Sequence, residues 1–476
     1  MSTNAQLSPR RVNLILVALG MFTFMSTLDA SIVNIALPVM AHDLSIPMNQ
    51  ATWSVSIYLI TISGLLTLFG NLGDQLGKIR VFKWGTYVFT FGSLLAGISL
   101  GLGFLLFARV VQAIGAAMTM SNSFGISTTV APANMRARAM ATIAMFVSLG
   151  SIAGPAVGGL ILSLLKWPFI FWINVPLGIL TIILGEFIFP KNQRRTAPLV
   201  IDWIGTVIFF SMIAVFFGGI NIAQEQGFGA LLPITTYILS ILLLIGFIKW
   251  EQHTIRPLID LSIFKEKMFT LSVITSFLVF ASGFFINVLL PFYLENLRQI
   301  QPGQAGMYMM SYPLAMLIGT PIAGVVADRF DREYVTFFAL TGITLGMSGW
   351  ILMTGHSPLY MVVMLSAWTG FSTAFFNSPN NAITMSNAPK SQLGVAGAIN
   401  ALARNVGMIT GTTLVTTMLY ISMSKQMGHQ ITTYPIGHPT VFINGLHFAM
   451  FFGMFLVLIA WCLTGYRLIL RLQSKH

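Results

Sequence analysis

Two ionisable residues lie in stretches of the sequence that are otherwise uncharged. Asp29 is the only ionisable residue between Val12 and Ala41, and Arg109 lies in a similar apolar stretch. Desolvation favours the neutral form of a carboxyl group, whereas a nearby guanidinium favours the carboxylate, so such a pair can respond to conformation. The two residues predict either a proton-coupling site or a static buried ion pair.

The sequence lacks the patterns of the common catalytic and metal sites. Cys462 is the only cysteine, which excludes an intramolecular disulfide and a cysteine-based metal centre. No His/Glu cluster has the spacing of a metal site, and no GxxxxGK[ST] loop is present to bind ATP. We therefore expect a protein that is not an enzyme and that uses no metal and no cofactor.

The elements that must position Asp29 and Arg109 are helices long enough to cross a membrane. Of the 476 residues 55% are hydrophobic and 8% are charged, whereas roughly a quarter are charged in a typical soluble chain. Apolar runs of about twenty residues recur along the chain, as in transmembrane helices. They predict an all-α polytopic membrane protein with fourteen spans, at 12–38, 51–70, 81–100, 103–128, 138–162, 168–190, 203–222, 231–249, 268–294, 304–326, 334–354, 358–379, 394–422 and 444–468.

Basic residues fall mainly on one side of the predicted membrane. Fourteen spans put both termini on the same side, and twenty of the 25 Lys and Arg residues, Arg467 among them, lie there. The positive-inside rule then predicts cytoplasmic termini, in the plasma (inner) membrane. The net charge of +12 is thus a topology signal, and we expect no nucleic-acid partner. In this topology Asp29 and Arg109 both lie in the outer half to middle of the bilayer, where pairing is possible.

An internal repeat divides the chain into halves. The string GNLGDQLGKIR at Gly70 is matched by GVVADRFDRE at Gly324, and LPVMAHDLSIPMNQA at Leu37 by LPFYLENLRQIQPGQA at Leu290. Repeats in transporters mark two helical bundles with a substrate site at their interface. We predict a six-helix bundle at 1–195, two inserted helices within 196–255 and a second six-helix bundle at 256–476.

Five motifs in order along the chain carry a family resemblance. They are LDASIVNIALP (28–38), GNLGDQLGKIR (70–80), RVVQAIGAA (109–117), GSIAGPAVGG (150–159) and WPFIFWINVPLG (167–178). Together they resemble the fourteen-helix drug:proton antiporter family of the major facilitator superfamily, over essentially the whole chain. The resemblance implies the major facilitator fold, with two six-helix bundles and two inserted helices, and transport by alternating access.

The second motif has the features of a conformational latch. Gly70 and Gly77 permit close backbone approach at a tight turn. Asp74 and its repeat counterpart Asp328 can accept hydrogen bonds from arginines or from a helix N-terminus and so hold one state of the transporter. The alternative is an ordinary interfacial turn with a solvated carboxylate. Gln75 stands where the family usually has arginine, which predicts a weaker charge network.

The fourth motif is a glycine-rich helix face. Gly150, Gly154, Gly158 and Gly159 lie mostly four residues apart, and Pro155 removes one backbone hydrogen bond and can kink the helix. Small residues let a partner helix approach closely in a membrane, so a packing seam accounts for the pattern by itself. The family resemblance implies in addition that this motif marks exporters.

The resemblance also implies which helices line the substrate cavity. They offer apolar, aromatic and amide side chains that suit hydrophobic drug-like ligands: Met25, Asn34, Tyr58, Asn122, Asn287, Tyr312, Trp368, Phe376 and Asn377. Arg404 is a second cation within a predicted span. It either binds an anionic group of the substrate or has a structural role, such as capping backbone carbonyls.

These patterns predict a secondary active exporter that works as a monomer in the lipid bilayer. The leading hypothesis is proton-coupled antiport of hydrophobic, often cationic, drugs or toxic compounds, that is, multidrug efflux and antibiotic resistance. The alternative is export or flipping of an endogenous metabolite or lipid, with Arg404 binding an anion. An intramembrane enzyme is disfavoured because no catalytic constellation is present, and a sensor is disfavoured because no output domain is present.

Overall fold

The fold is helical throughout the part of the chain that the structure describes. The computed structural model describes residues 9–46, 48–132, 135–190, 200–226, 229–254, 257–300, 302–389, 392–429 and 437–473. Away from its ends, a helix satisfies every peptide N–H and C=O within its own segment, which the absence of water in lipid requires. The predicted all-α class agrees with the secondary structure of these residues.

Sixteen α-helices follow one another in the described residues. In the first half of the chain they are α1 (Pro9–Asp43), α2 (Met48–Leu76), α3 (Lys78–Ala96), α4 (Leu102–Val130), α5 (Arg136–Leu164), α6 (Phe169–Trp172), α7 (Asn174–Ile188), α8 (Trp203–Gln226) and α9 (Leu231–His253). In the second half they are α10 (Lys267–Pro291), α11 (Pro302–Met309), α12 (Ser311–Arg329), α13 (Arg332–Ile351), α14 (Leu359–Ser386), α15 (Leu393–Met427) and α16 (Pro439–Gln473). A 3-10 helix (Leu261–Lys265) precedes α10, and a π-helical turn (Phe292–Leu297) follows it.

Each of the fourteen predicted spans coincides with a helix or a pair of consecutive helices. Twelve spans within the described residues are long and apolar enough to cross a membrane, with α6 and α7 forming one span and α11 and α12 another. The helices α3 and α5 occupy the two remaining predicted spans and fall outside this set. The multi-pass architecture is therefore established, whereas the count of fourteen stays a prediction.

The helices group into two compact units. The first unit comprises Met1–Ala133, Leu149–Glu266 and Asn387–Leu402, and the second comprises Asn134–Ser148, Lys267–Ser386 and Ala403–His476. The helices α8 and α9, predicted as an inserted pair, thus group with the first unit, and α5 and α15 are each divided. The predicted bundle boundaries at residues 195 and 256 stay a prediction.

In the first unit, a glycine brings α3 and α4 into backbone contact. A Cβ atom at Gly92 would lie 2.5 Å from the backbone nitrogen of Gln112, so only glycine permits this approach. One residue further along α3, the Ser93 hydroxyl accepts a hydrogen bond from Gln112 Nε2 at 2.8 Å. The close packing of these two helices thus determines where the Gln112 side chain lies.

The second unit is built around a large apolar core. Side chains from α10, α13, α14 and α16 are fully or almost fully buried there, including Phe285, Leu340, Trp350, Phe376 and Phe442. Burial of each such side chain contributes roughly 1.5–3 kcal/mol to folding in water, but lipid removes much of this driving force. Close packing and interhelical hydrogen bonds therefore carry more of the stability.

Candidate functional site

Asp29 is fully buried in α1 and accepts three hydrogen bonds. Its Oδ2 accepts from Arg109 Nη1 at 2.6 Å, and its Oδ1 accepts from Gln112 Nε2 at 2.9 Å and from Asn174 Nδ2 at 2.8 Å. The three donors come from α4 and from the first residue of α7. We refer to Asp29, Arg109, Gln112 and Asn174 as the Asp29 cluster.

Arg109 is held by more than its ion pair. Its Nε donates to the backbone carbonyl of Ser54 at 3.0 Å, and its Nη1 also donates to Gln112 Oε1. The guanidinium carbon lies 4.0 Å from the centroid of the Tyr58 ring, which gives a cation–π contact. Tyr58, predicted as a cavity residue, therefore forms one wall of the Asp29 cluster.

The sequence motifs do not single out Gln112 and Asn174, although both residues lie within them. Gln112 follows Arg109 by three residues, a spacing that places two side chains on the same side of a helix. Asn174 begins α7 and is separated from the short helix α6 by Ile173. A polar side chain three residues from a buried charge is the signal that identifies Gln112. Nothing comparable in the sequence marks Asn174.

The arrangement is chemically matched to a carboxylate. All three groups bonded to Asp29 are N–H donors, which an unprotonated carboxylate oxygen can accept. Because Asp29 has no exposed surface, a proton reaches it only after the helices move. The predicted proton-coupling role of Asp29 and Arg109 stays a prediction.

The predicted latch residue Asp74 caps the start of α15. Its carboxylate oxygens accept from the backbone N–H of Gly394 at 2.9 and 3.0 Å, and Oδ2 accepts from Val395 N–H at 3.1 Å. The Lys78 ammonium lies 2.6 Å from Oδ1. A carboxylate at a helix N-terminus satisfies free N–H groups and interacts favourably with the helix dipole.

The glycines of this motif have distinct structural roles. Gly77 adopts φ +100° just before α3, a conformation that other residues rarely adopt. A Cβ atom at Gly70 would lie 2.7 Å from the backbone oxygen of Gly394, so the glycine allows α2 to approach the start of α15. The repeat counterpart Asp328 instead lies 3.9 Å from Arg332, a looser contact than Asp74 makes with Lys78. The function of these residues as a latch stays a prediction.

The glycine-rich face of α5 packs against α1. A Cβ atom at Gly150 would lie 2.7 Å from the backbone oxygen of Phe24, and one at Gly158 would lie 2.7 Å from Ile32 Cγ1. Gly154 is also buried on this seam, whereas a Cβ atom at Gly159 would meet open space. The helix continues through Pro155, whose side chain lies outside the described part of the chain.

In the first unit, the predicted cavity residues are mostly buried. Met25 is fully buried in α1, and Asn122 is fully buried in α4, where its Nδ2 donates to the backbone oxygen of Phe69 at 3.0 Å. The side chain of Asn34 lies outside the described part of the chain. Met25 and Asn122 are thus buried between packed helices in this conformation, and the binding role of the three residues stays a prediction.

In the second unit, the predicted cavity residues are dispersed. Phe376 belongs to the apolar core, and Asn377 next to it is 7% exposed. Tyr312 is partly buried, whereas Asn287 is exposed. Trp368 is 51% exposed and donates from its Nε1 to the backbone oxygen of Gly342 at 2.8 Å. Their role in substrate binding likewise stays a prediction.

Arg404 is a partly buried cation in α15 with no hydrogen bond or ion pair to the residues that the structure describes. It lies eleven residues after Leu393, the first residue of α15, or about 16 Å along the helix. A cation at this depth needs water, a carbonyl or an anion as its partner. No described carbonyl serves that purpose in this conformation, and the role of Arg404 in binding an anionic substrate group stays a prediction.

A second buried ion pair lies in the second unit. Arg467 is fully buried in α16, although the charge distribution groups it with the cytoplasmic residues. Its Nε donates to Glu333 at 2.5 Å, its Nη1 donates to Ser272 Oγ at 2.9 Å and Asn380 Oδ1 at 2.8 Å, and its Nη2 donates to Thr336 Oγ1 at 2.9 Å. We refer to these five residues as the Arg467 cluster. Glu333 and Arg467 both lie near helix ends, where a charged residue is usually predicted from sequence to be solvated.

Comparison with known sequences identifies transporters as relatives of this chain. The family described as the Major Facilitator Superfamily matches residues 19–412 and 272–469. The chain is 34% identical to the riboflavin transporter RibZ of Clostridioides difficile, over 84% of this chain and 86% of that protein. It is 29% identical to the multidrug export protein EmrB of Escherichia coli, over 84% of this chain and 79% of that protein.

Comparison with solved structures identifies the same architecture. The proton:xylose symporter XylE superposes with a TM-score of 0.64 at 15% sequence identity, covering 96% of each chain. At this identity the likeness concerns the fold, and it confirms the predicted fold class. The relatives are transporters and not enzymes, in agreement with the prediction from the sequence.

Proposed function

The chain belongs to the Major Facilitator Superfamily, and on that basis we propose that it is a proton-coupled antiporter that exports hydrophobic small molecules by alternating access. The substrates are drugs or other toxic compounds, often cationic, so that efflux confers resistance on the host. The relation to a multidrug export protein supports export as the direction of transport. The proposal includes the fourteen-helix subfamily, cytoplasmic termini and an inner-membrane location.

The Asp29 cluster is the observation that carries this proposal. Asp29 is fully buried, and its three partners are all donors on other helices. A carboxylate held in this way favours the conformation in which Arg109, Gln112 and Asn174 converge. A protonated Asp29 has lost its charge and gained a donor, so its bonds to Arg109, Gln112 and Asn174 are weaker. Proton binding therefore shifts the balance between two conformations by differential affinity.

The transport cycle follows from this linkage. With Asp29 unprotonated, the cluster is closed and substrate enters from the cytoplasmic side. When the helices move and the cluster opens, a proton from outside neutralises Asp29, and the conformation that releases substrate outward becomes favoured. Release of the proton inward restores the closed cluster. The proton moves inward through this site as substrate is exported, and the gradient supplies the driving force.

Transport by Asp29→Asn in vesicles with an imposed proton gradient tests the proposal. Asparagine keeps the size of the side chain but cannot exchange a proton, so we expect gradient-driven export of a lipophilic cationic dye to fall by at least about tenfold. Asp43→Asn is the matched control, because Asp43 lies on the same helix and accepts from Trp167 Nε1 at 2.8 Å, a bond that asparagine can retain. Gradient-driven export by Asp29→Asn at the wild-type rate would refute the proton-coupling role.

A second candidate function is export of an endogenous anionic or acceptor-rich metabolite. Two observations favour it: Arg404 lacks a partner within the described chain, and the chain is 34% identical to a riboflavin transporter. A flavin ring has carbonyl oxygens that a guanidinium can bind, and phosphorylated flavins add an anion. In this candidate function Arg404 is the residue that distinguishes such substrates from cationic drugs.

The substitution Arg404→Gln separates the two candidates. If the substrate is anionic or acceptor-rich, riboflavin transport falls strongly in Arg404→Gln and recovers in part in Arg404→Lys. If the substrates are hydrophobic cations, removal of a positive charge from the path leaves dye export equal to or above that of wild type. Parallel uptake of both compounds into vesicles of the same preparation measures the two outcomes.

A further inference from the structure

A pair of carboxyl groups lies where α8 begins and α9 ends. Asp202 directly precedes α8, and Glu251 lies in the last turn of α9. Glu251 is only 4% exposed, and its Oε1 has no hydrogen-bond donor among the described residues. Both carboxyl groups border Gly205, where a Cβ atom would lie 2.6 Å from Glu251 Oε1 and would also be crowded by Asp202 Oδ2, so the two oxygens face the same small space.

The remaining oxygens of the pair are fixed by donors. Asp202 Oδ1 accepts from the backbone N–H of Gly205 at 2.8 Å, and both Asp202 oxygens accept from Trp250 Nε1, at 3.1 and 3.0 Å. Glu251 Oε2 accepts from the backbone N–H of Ile259 at 2.9 Å. The oxygen left without a donor is therefore Glu251 Oε1, the one on the side of Gly205 and Asp202.

No described cation neutralises this pair. On α9, Lys249 and His253 are exposed. In the segment after α9, the Ser262 side chain, the Ser262 N–H group and Gln392 Nε2 hold the pKa of Asp260 below its usual range. Arg256 lies outside the described residues. On α2, which packs against α8, the charged group is Asp74, bonded to Lys78 and the start of α15. The remaining charges of this segment, Lys265 and Glu266, are exposed.

We propose that Asp202 and Glu251 form a second proton-binding site, separate from the Asp29 cluster, in which one proton is shared between the two carboxyl groups. The Glu251 Oε1–H group donates to Asp202 Oδ2, which gives the orphaned oxygen its partner. Two neighbouring carboxylates without a cation do not both ionise readily, because each charge opposes the other and burial opposes both. The proton belongs to the pair rather than to either residue alone.

The pair lies between two anchor points on α2. Gln75 donates from Nε2 to the backbone oxygen of Val200 at 2.9 Å and accepts from Val200 N–H at 3.1 Å. Four residues earlier on the same helix, Asn71 Nδ2 donates to the backbone oxygens of Pro257 and Leu258, at 3.5 and 3.4 Å. Val200, bonded to Gln75, lies just before α8, and Pro257 and Leu258, bonded to Asn71, lie just after α9. The carboxyl pair connects the start of α8 with the end of α9.

The proton therefore controls how firmly α8 and α9 are held to the end of α2 that carries the latch motif. With one proton, the pair is joined by a hydrogen bond and Glu251 retains Ile259. Loss of that proton leaves two carboxylates side by side, and their repulsion separates Glu251 from Asp202 and weakens its bond to Ile259. In the predicted topology this end faces the cytoplasm, so the site responds to cytoplasmic pH and loosens as that pH rises. Gln75, the departure from the family pattern, is one of the two anchors.

Infrared titration of the purified protein in lipid nanodiscs detects the proton without any substrate. We expect a protonated-carboxyl C=O band in wild type that is lost as the pH is raised and that is missing in both Glu251→Gln and Asp202→Asn. Glu266→Gln is the control, because Glu266 is an exposed carboxylate in the same part of the chain, and it leaves the band unchanged. A band that persists in both Glu251→Gln and Asp202→Asn would overturn the proposal.

Hydrogen exchange at Ile259 measures the consequence. After correction for the intrinsic pH dependence, exchange of this amide in wild type rises about tenfold across the titration. In Glu251→Gln it stays slow at every pH, because glutamine keeps an acceptor for Ile259 and its amide donates to Asp202. Equal pH dependence in wild type and Glu251→Gln would also overturn the proposal. Neither measurement depends on transport, so its outcome is separate from that of the Asp29→Asn experiment.

Discussion

The Asp29 cluster and the Arg467 cluster both bury an arginine with a carboxylate, but their hydrogen bonds converge on opposite partners. In the first unit the carboxylate is the centre, because Asp29 accepts from an arginine and two amides. In the second unit the guanidinium is the centre, because Arg467 donates to Glu333 and to three neutral oxygens. The same pair of residue types thus serves two different arrangements.

The difference bears directly on proton chemistry. A carboxylate that is the centre of a cluster changes every bond of the cluster when it takes up a proton. An arginine remains protonated under all physiological conditions, so a cluster centred on it has no comparable switch. The Asp29 cluster is therefore suited to coupling and the Arg467 cluster to joining α10, α13, α14 and α16. The internal repeat agrees with this asymmetry. Its two pairs of matched strings are 253 and 254 residues apart, and the positions at these distances from Asp29 are Ser282 and Gly283, which are not ionisable.

The largest effect is expected from removal of Arg467. In Arg467→Ala, Glu333 is left as an uncompensated charge and three oxygens lose their donor, which lowers the free energy of unfolding by about 3–5 kcal/mol. Thermal unfolding in detergent, followed by tryptophan fluorescence, measures the change. Arg471→Ala is the control, because Arg471 is half-exposed and 3.9 Å from Asp331, and its loss costs about 0–1 kcal/mol. Equal destabilisation by the two variants would contradict a structural role for the Arg467 cluster.

Neutralising both partners of each pair tests the comparison most directly. A double substitution avoids an unpaired charge, so Asp29→Asn/Arg109→Gln and Glu333→Gln/Arg467→Gln should each be more stable than the corresponding single arginine substitution by about 2 kcal/mol. Gradient-driven transport should be lost in the first double variant and retained in the second. Loss of transport in both, at wild-type levels of folded protein, would show that the two clusters do not differ in function.

A smaller effect is expected from the neutral donors. Gln112→Ala and Asn174→Ala each remove one hydrogen bond to a charged group, which lowers the free energy of unfolding by about 1.5–3 kcal/mol. Thr336→Ala also removes a hydrogen bond to a charged group, but Arg467 keeps three other acceptors, so its cost should fall at the lower end of that range, about 1.5 kcal/mol. Chemical denaturation of the three variants gives the order. If Thr336→Ala lowers the free energy of unfolding the most, the result would contradict the assignment of Asp29 as the centre of one cluster and Arg467 as the centre of the other.

The smallest effect separates the two repeat-related aspartates. Asp74→Asn weakens the cap on α15 and removes the ion pair with Lys78, and we expect a loss of about 0.5–2 kcal/mol. Asp328→Asn, whose ion pair with Arg332 is longer, should change stability by less than that. The same thermal assay compares the two. A larger loss in Asp328→Asn would show that the second copy of the motif is the tighter one.

The sequence predicts the fold class and the pairing of Asp29 with Arg109 for the same physical reason. Apolar runs reveal the helices, and a charge within such a run is costly enough that Asp29 and Arg109 stand out. Gln112 and Asn174 do not stand out, because amides carry no charge and occur in many helices. Arg467 and Glu333 are misleading in sequence, since a charge near a helix end is usually solvated. Only the packing of other helices over those ends buries them.

The Asp202–Glu251 pair shows a different limit of sequence analysis. The two residues are 49 positions apart and belong to the ends of two helices, so no local pattern connects them. Their proximity follows from the antiparallel arrangement of α8 and α9, which a pattern of apolar runs predicts only in outline. The orphaned oxygen of Glu251 becomes visible only when every donor around it is known.

The glycine at position 92 has a consequence for genetic studies of this transporter. It has no functional group, yet any larger residue there would push α4 away from α3 and displace Gln112 from Asp29. A random-mutagenesis screen for transport should therefore recover substitutions at Gly92 together with those at the charged residues. A reader of such a screen who looked only for proton-binding side chains would have no reason to expect it.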